Sequence, residues 1–227
     1  MTNRLERLMP LTGVVFLLLM VAVMTGPSTP DVNASATKII DFYSKHRGYL
    51  QAQAFLMAYA GAVLVWFTTV LCAYLRRAGA RASATASLCG SVVVATAFGV
   101  AAGCNLLLTH KSVSLAPASA QTLNLVNNDL PFVALFAGVL LTMVSLGAAV
   151  LTTRAFPAWL GWAAVVCGIA AGVGSFVSWF AFMATSVWVL VASVMLYQRQ
   201  ERPSSITLPD SGSGRVGESA RHEATTR

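Results

Sequence analysis

Residues 155–198, AFPAWLGWAAVVCGIAAGVGSFVSWFAFMATSVWVLVASVMLYQ, run for 44 positions without an acidic or basic side chain. As one helix this stretch would be about 66 Å long at 1.5 Å per residue. The hydrocarbon core of a bilayer is only about 30 Å thick and is crossed by about 20 helical residues. The stretch therefore reads as two spans joined by a turn. Gly172, Gly174 and Ser175, followed by Ser178 and Trp179, place the turn and predict spans over about 158–175 and 178–197.

Four more charge-free stretches precede it, at 8–30, 48–75, 82–109 and 130–153. Each accommodates one helix across a bilayer, with spans over about 8–26, 50–75, 84–108 and 130–153. The whole chain agrees with this reading. Of 227 residues, 56% are hydrophobic and 10% charged, against about 25% charged in a soluble domain. Such a chain is a poor candidate for a soluble enzyme, a disordered protein or a nucleic-acid module. The apolar runs are continuous and rich in Ala, Leu, Val and Gly, whereas barrel strands alternate over about 10 residues. The predicted fold is all-α: a six-span transmembrane bundle over 1–198, with a disordered cytoplasmic tail over 199–227 that is too polar to bury a core.

The net charge of +7 is a matter of topology, because the basic residues lie between and after the apolar runs. With the N-terminus inside, the inner segments near span ends carry Arg4, Arg7, Arg76, Arg77, Arg81, Arg154, Arg199 and Arg202. The outer ones carry Lys38, Lys45, Arg47 and Lys111. Eight against four places both termini in the cytoplasm. Arg4 and Arg7 before an apolar run also suit a signal peptide, with Ala34-Ser35-Ala36 as its cleavage site. That tripeptide lies well beyond Met24, so the run reads as a first span; in either case residue 30 is outside. Trp159 and Trp162 after Pro157 suit the inner interface and Trp179 an outer turn, while Trp66 and Trp188 fall mid-span as packing residues.

Between spans one and two, Asn33 or Ser35 caps a short helix through Arg47, with Ile39, Ile40 and Tyr43 at helical spacing. This predicts an amphipathic segment, about 33–47, lying at the outer interface. The outer segment at about 110–129 reads as a small, polar loop, with Pro131 in the first turn of span four. Gly99-Val100-Ala101-Ala102-Gly103 and Gly168-Ile169-Ala170-Ala171-Gly172 are small-residue motifs that let helices approach closely. They predict packing within the bundle or a homo-oligomer face. Cys72, Cys89, Cys104 and Cys167 lie inside apolar runs at no metal-ligand spacing, and no metal site is expected.

No span carries an ionisable residue near its centre, which argues against a proton-coupled pump or a voltage sensor. HExxH, a nucleophile elbow and a Walker A loop are all absent, so no catalytic residue and no cofactor is assigned. The polar chemistry outside the tail gathers at the outer helix ends. Asp41, His46 and Arg47 precede span two, Asn105 and His110 close span three, and Asn128 and Asp129 precede span four. They are the candidate ligand-binding residues. Asn105 is the strongest, since it lies about one turn inside an apolar run where an amide needs a partner.

Phe156-Pro157-Ala158-Trp159-Leu160-Gly161-Trp162 before a Gly/Ala-rich helix, and Phe42-Tyr43-Ser44-Lys45-His46-Arg47 before an apolar helix at Tyr49, resemble motifs of one family. It is a broad family of uncharacterised six-helix integral membrane proteins common in actinobacteria. The resemblance covers about 1–197. It implies a bacterial plasma membrane as location and assigns no reaction. The expected role is a non-enzymatic membrane-embedded binding, accessory or envelope component in the lipid bilayer. A small transporter and an outer-face enzyme or metal-binding protein are the alternatives.

Overall fold

The computed structural model describes residues 11–27, 29–111 and 115–201. These form seven helices: α1 (Thr12–Met24), α2 (Ala36–Lys45), α3 (Arg47–Arg77), α4 (Arg81–Lys111), α5 (Pro117–Thr153), α6 (Ala158–Ala171) and α7 (Ser175–Glu201). There is no strand among the described residues. Helices α3, α4, α5 and α7 are long and apolar enough to cross a membrane; α1 and α6 are apolar but shorter, at 13 and 14 residues. The expected tail lies outside the described residues beyond Glu201, up to which α7 is helical.

The six apolar helices close a ring. Each packs mainly on two neighbours, in the order α1, α3, α4, α5, α6, α7 and back to α1, and the α4–α5 pairing is the most extensive. Toward one end the ring is filled by Phe16, Phe67, Leu71, Met143, Leu146 and Trp188, all buried. The Trp188 indole donates to the Leu160 carbonyl at 2.8 Å and ties α7 to α6. Trp66, expected to pack, is 55% exposed; it lies on the opposite side of α3 from its buried neighbours Leu64, Phe67 and Leu71.

Backbone groups with no water to meet must be satisfied internally, and the turns show how. Between α6 and α7, Gly174 takes φ +153°. The Ser178 hydroxyl sits 2.7 Å from the Ala171 carbonyl and 2.6 Å from that of Gly174, and the Gly174 carbonyl also accepts the Ser178 N–H at 2.8 Å, so the hydroxyl proton is left for Ala171. Between α5 and α6, Arg154 is left-handed at φ 51° and donates its N–H to the Val150 carbonyl. The Arg199 guanidinium donates to the Ala155 carbonyl and lies over the Phe156 ring, 5.0 Å from its centroid. The antiparallel hairpins thus collect Arg76, Arg77, Arg81, Arg154 and Arg199 at one end of the bundle.

Glycines set the closest helix crossings. A Cβ on Gly138 of α5 would lie 2.9 Å from the Val94 amide nitrogen and 3.0 Å from the Gly90 carbonyl of α4. A Cβ on Gly147 would lie 2.7 Å from the Gly161 carbonyl of α6. The two small-residue motifs behave differently. Gly168 and Gly172 face α5, with Met143, Val144 and Leu140 within 3.0 Å of the added atom, whereas at Gly99 and Gly103 nothing among the described residues lies within 4 Å.

Two sequence expectations change at the other end. Helix α5 starts at Pro117, so most of the segment read as a polar loop is helical, and Pro131 sits inside a 37-residue helix. Ala120, Asn124, Asn127 and Pro131 share one buried face of that extension, which tertiary packing stabilises despite the polar composition. Helix α2 is capped by the Ser35 side chain, which accepts from the Lys38 amide. Its apolar face lies on protein instead of lipid: Ile39 and Tyr43 are fully buried with Leu50 of α3, Leu108 of α4 and Ala120 of α5.

Candidate functional site

The half of the ring away from the arginines holds a cavity of about 380 Å³. Its apolar wall comes from Met20, Val23 and Met24 of α1, Met57 of α3, Ala97, Phe98 and Ala101 of α4, Phe132 and Leu135 of α5, and Trp179 and Phe182 of α7. Aromatic contacts hold this wall: Trp179 meets Phe132 edge-on at 5.4 Å, and Phe98 meets Phe182 at 6.2 Å. The cavity reaches Ala97, near the middle of α4, and the filled interior closes it beyond.

The other end of the cavity is polar and carries no formal charge. Thr29, Gln53, Asn105, Asn127 and Asn128 line it. Gln53 donates to the Val23 carbonyl at 2.9 Å and Tyr49 to the Ala22 carbonyl at 3.4 Å, so α3 side chains satisfy the last turn of α1. Thr29 donates to Asn128 Oδ1 at 3.2 Å, Asn128 to the Asn124 carbonyl at 2.9 Å, and Asn124 to the Asp31 carbonyl at 3.2 Å. This chain ties the segment after α1 to the α5 extension. Asn127 donates to Asn105 Oδ1 at 3.2 Å and to the Tyr43 hydroxyl oxygen at 3.4 Å, joining α5, α4 and α2.

Asn124 and Asn127 are 0% and 8% exposed, and the Oδ1 of each is buried without a hydrogen-bond partner, a state that costs about 1–3 kcal/mol. Pro131, four residues on, has no N–H to offer the Asn127 backbone carbonyl, and both residues line the cavity. Burial pushes the Tyr43 hydroxyl up to about 12, against the lowering effect of the bond from Asn127.

No protein-family model, no curated protein and no solved structure matches this chain. The site therefore stands on its own geometry.

Of the seven residues expected at an outer site, Asn105 and Asn128 line the cavity. The other five lie outside its lining. Asp41, Arg47, His110 and Asp129 are exposed. His46 is half-buried at the α2–α3 junction, its Nδ1 3.0 Å from the Phe42 carbonyl and its ring against that of Phe42 at 4.7 Å. Solvation holds the ionisable groups outward, and among the described residues no three His, Cys, Asp or Glu side chains come together. Thr29 and Tyr43 are not among the expected site residues, and Asn127 groups with Asn124 and Asn128 before span four but falls outside the seven. Asn124, Asn127 and Asn128 recur at the three- and four-residue spacing of one helix face.

Proposed function

We propose that this chain is a multi-pass protein of a bacterial plasma membrane, with six spans and both termini cytoplasmic, and that it works as a non-enzymatic binding component. The arginine-rich end of the bundle supports that orientation, because basic residues favour the cytoplasmic side. The short α1 and α6 fit as spans if flanking apolar residues such as Ala155, Phe156 and Val173 complete the crossing. The resemblance to the uncharacterised actinobacterial family supports the same location.

The cavity carries the functional reading. It is apolar along its length, polar at one end, and lined by no ionisable side chain, the lining of a site for an uncharged amphipathic molecule. The filled interior beyond Phe98 and Phe182 favours holding such a molecule over passing it through the membrane.

Native mass spectrometry of protein extracted in mild detergent tests this. The parent is expected to carry a non-covalent adduct. Ala101→Phe, which fills the cavity, is expected to lose it, and Val133→Phe, at a position 73% exposed, to keep it. An adduct retained equally by all three proteins would defeat the proposal.

A further inference from the structure

We infer that the occupant of the cavity is a lipid of the surrounding bilayer, whose hydrocarbon chain enters sideways through a cleft between α1 and α7. The inference rests on the binding reading above and adds the source of the molecule and its route. Helices α1 and α7 meet closely at one crossing, where a Cβ on Gly13 would lie 2.8 Å from the Ser193 Cβ and 3.1 Å from the Val189 carbonyl. From there toward the cavity they lean on different partners. Gln53 and Tyr49 hold the last turn of α1 to α3, through the carbonyls of Val23 and Ala22. The first turns of α7 are held to α5 instead, with the Trp179 ring 5.4 Å from that of Phe132 and 6.4 Å from that of Phe136.

The two helices therefore part. At 1.5 Å per residue, Met24 lies about 16 Å beyond Gly13 and Trp179 about 15 Å from Val189, so the two stand at one depth. Both line the cavity and both are exposed, at 44% and 38%, while every other lining residue is buried or half-buried. Phe98 and Phe182 line the same space at 5% and 2%. Lining the cavity thus exposes little, and Met24 and Trp179 mark where it reaches the outside of the bundle.

That outside is apolar. Leu18 and Val21 of α1 and Phe176, Phe180 and Met183 of α7 are exposed, and neither 8–30 nor 155–198 carries a charged residue. On the orientation proposed above, the cleft opens in the outer leaflet. Toward water the chain after α1 crosses to α5, where Thr29 donates to Asn128 and Asn124 to the Asp31 carbonyl. A lipid chain moving from the bilayer into a wall of Met, Phe and Trp exchanges one apolar surrounding for another and exposes no apolar surface to water on the way.

The test uses a long-chain monoacylglycerol with a diazirine in its chain, dissolved in phosphatidylcholine nanodiscs that hold the full-length protein. It is expected to label peptides containing 97–101, where Ala97, Phe98 and Ala101 are buried against the cavity. In a cysteine-free background, Met24→Cys with Trp179→Cys is bridged across the cleft by a reducible bifunctional thiol reagent. Phe136→Cys with Trp179→Cys, bridged across the α5–α7 contact, is the matched pair, and bridged and reduced forms are compared within each. The α1–α7 bridge is expected to slow labelling at least about tenfold, because a closed entrance becomes rate-limiting, with recovery on reduction. The α5–α7 bridge is expected to leave the rate unchanged. Met24→Trp should slow labelling and Met24→Ala speed it, and these two decide the matter if a cysteine pair does not fold.

No slowing by the α1–α7 bridge, equal slowing by both bridges, or equal rates in the two Met24 variants overturns the side entrance and leaves the binding reading standing. Failure of the probe to reach 97–101 while the native protein carries an adduct overturns the lipid source alone. Absence of both label and adduct overturns both readings.

Discussion

Gly90→Ala is the sharpest test of how the bundle is built. A Cβ at position 90 would lie 2.5 Å from Thr142 Oγ1, 2.7 Å from the Thr142 amide nitrogen and 2.9 Å from the Gly138 carbonyl. The hydroxyl can turn away, but the two backbone atoms belong to α5 and cannot. The amide contact is about 0.7 Å short of the 3.4 Å at which ordinary contact begins, so α4 and α5 must separate locally by a comparable amount. A gap of about 0.5–1 Å forfeits a quarter to a half of the dispersion attraction at each contact it opens. Forcing an extra carbon into a packed core costs about 1–3 kcal/mol. Alanine returns about 1 kcal/mol through its better helix propensity, leaving a net loss of up to about 2 kcal/mol.

Gly99→Ala is the matched control on the same helix. Nothing among the described residues lies within 4 Å of its added carbon, so only the propensity gain of up to about 1 kcal/mol remains. At about 2–4 °C per kcal/mol for a chain of this size, the two variants should melt up to about 10 °C apart on opposite sides of the parent. The native thiols supply the assay. Cys72 and Cys104 are buried and report unfolding to a thiol-reactive fluorogenic dye, once the exposed Cys89 and the half-buried Cys167 are replaced by serine. Gly90→Ala melting at or above the parent would refute the glycine-set crossing. A fall for Gly99→Ala that depends on protein concentration would instead mean that a second copy covers the open face of α4.

Three further outcomes are expected. Trp188→Phe removes the buried donor to the Leu160 carbonyl and should lower stability by about 1–3 kcal/mol; an unchanged melting temperature would show that the bond contributes nothing. Tyr43 titrates at about 12 in the folded chain against 10.0 as a free side chain. Between those values the unfolded state holds fewer protons, so this contribution to stability is complete below pH 10 and is lost as pH rises toward 12. Tyr43→Phe should therefore flatten the alkaline limb of melting temperature against pH, and a limb of equal slope in both proteins would count against the buried hydroxyl. In a cysteine-free background, Ser112→Cys should label from outside the cell and Ser204→Cys only after permeabilisation; same-side labelling would break the six-span topology.

Charge gaps made the long apolar helices legible because an ionised side chain in hydrocarbon costs several kcal/mol, and no local preference overrides that. The α5 extension was hidden because its residues are polar and Pro131 resembles a helix start. What keeps residues 117–130 helical is a face formed by Ala120, Asn124 and Asn127, buried against α2 and α4, a partner no local pattern announces. The small-residue motifs divide for a similar reason. Spacing within one helix shows that a close approach is available but not which side a neighbour occupies. Gly168 and Gly172 found α5, Gly99 and Gly103 met nothing among the described residues, and the Gly90–Gly138 crossing falls in no GxxxG motif within either helix.

The site follows the same logic. Charged and titratable residues drew attention at the outer ends because they can do the most chemistry in isolation. Asp41, Arg47, His110 and Asp129 are also the groups that water holds most strongly, and they stay at the surface. A cavity that opens among apolar helices favours the polar groups that are cheapest to bury, and carboxamides can satisfy one another in pairs. Asn105 was legible because it interrupts an apolar run, and the structure supplies its partner, Asn127. That pairing leaves one end of Asn127 over, beside a proline that removes a helical donor from the same residue. What the amide gives in return is the tie itself: Asn127 donates to Asn105 Oδ1 and to the Tyr43 hydroxyl oxygen and so joins α5, α4 and α2, and leucine at position 127 would orphan the Asn105 oxygen in their place.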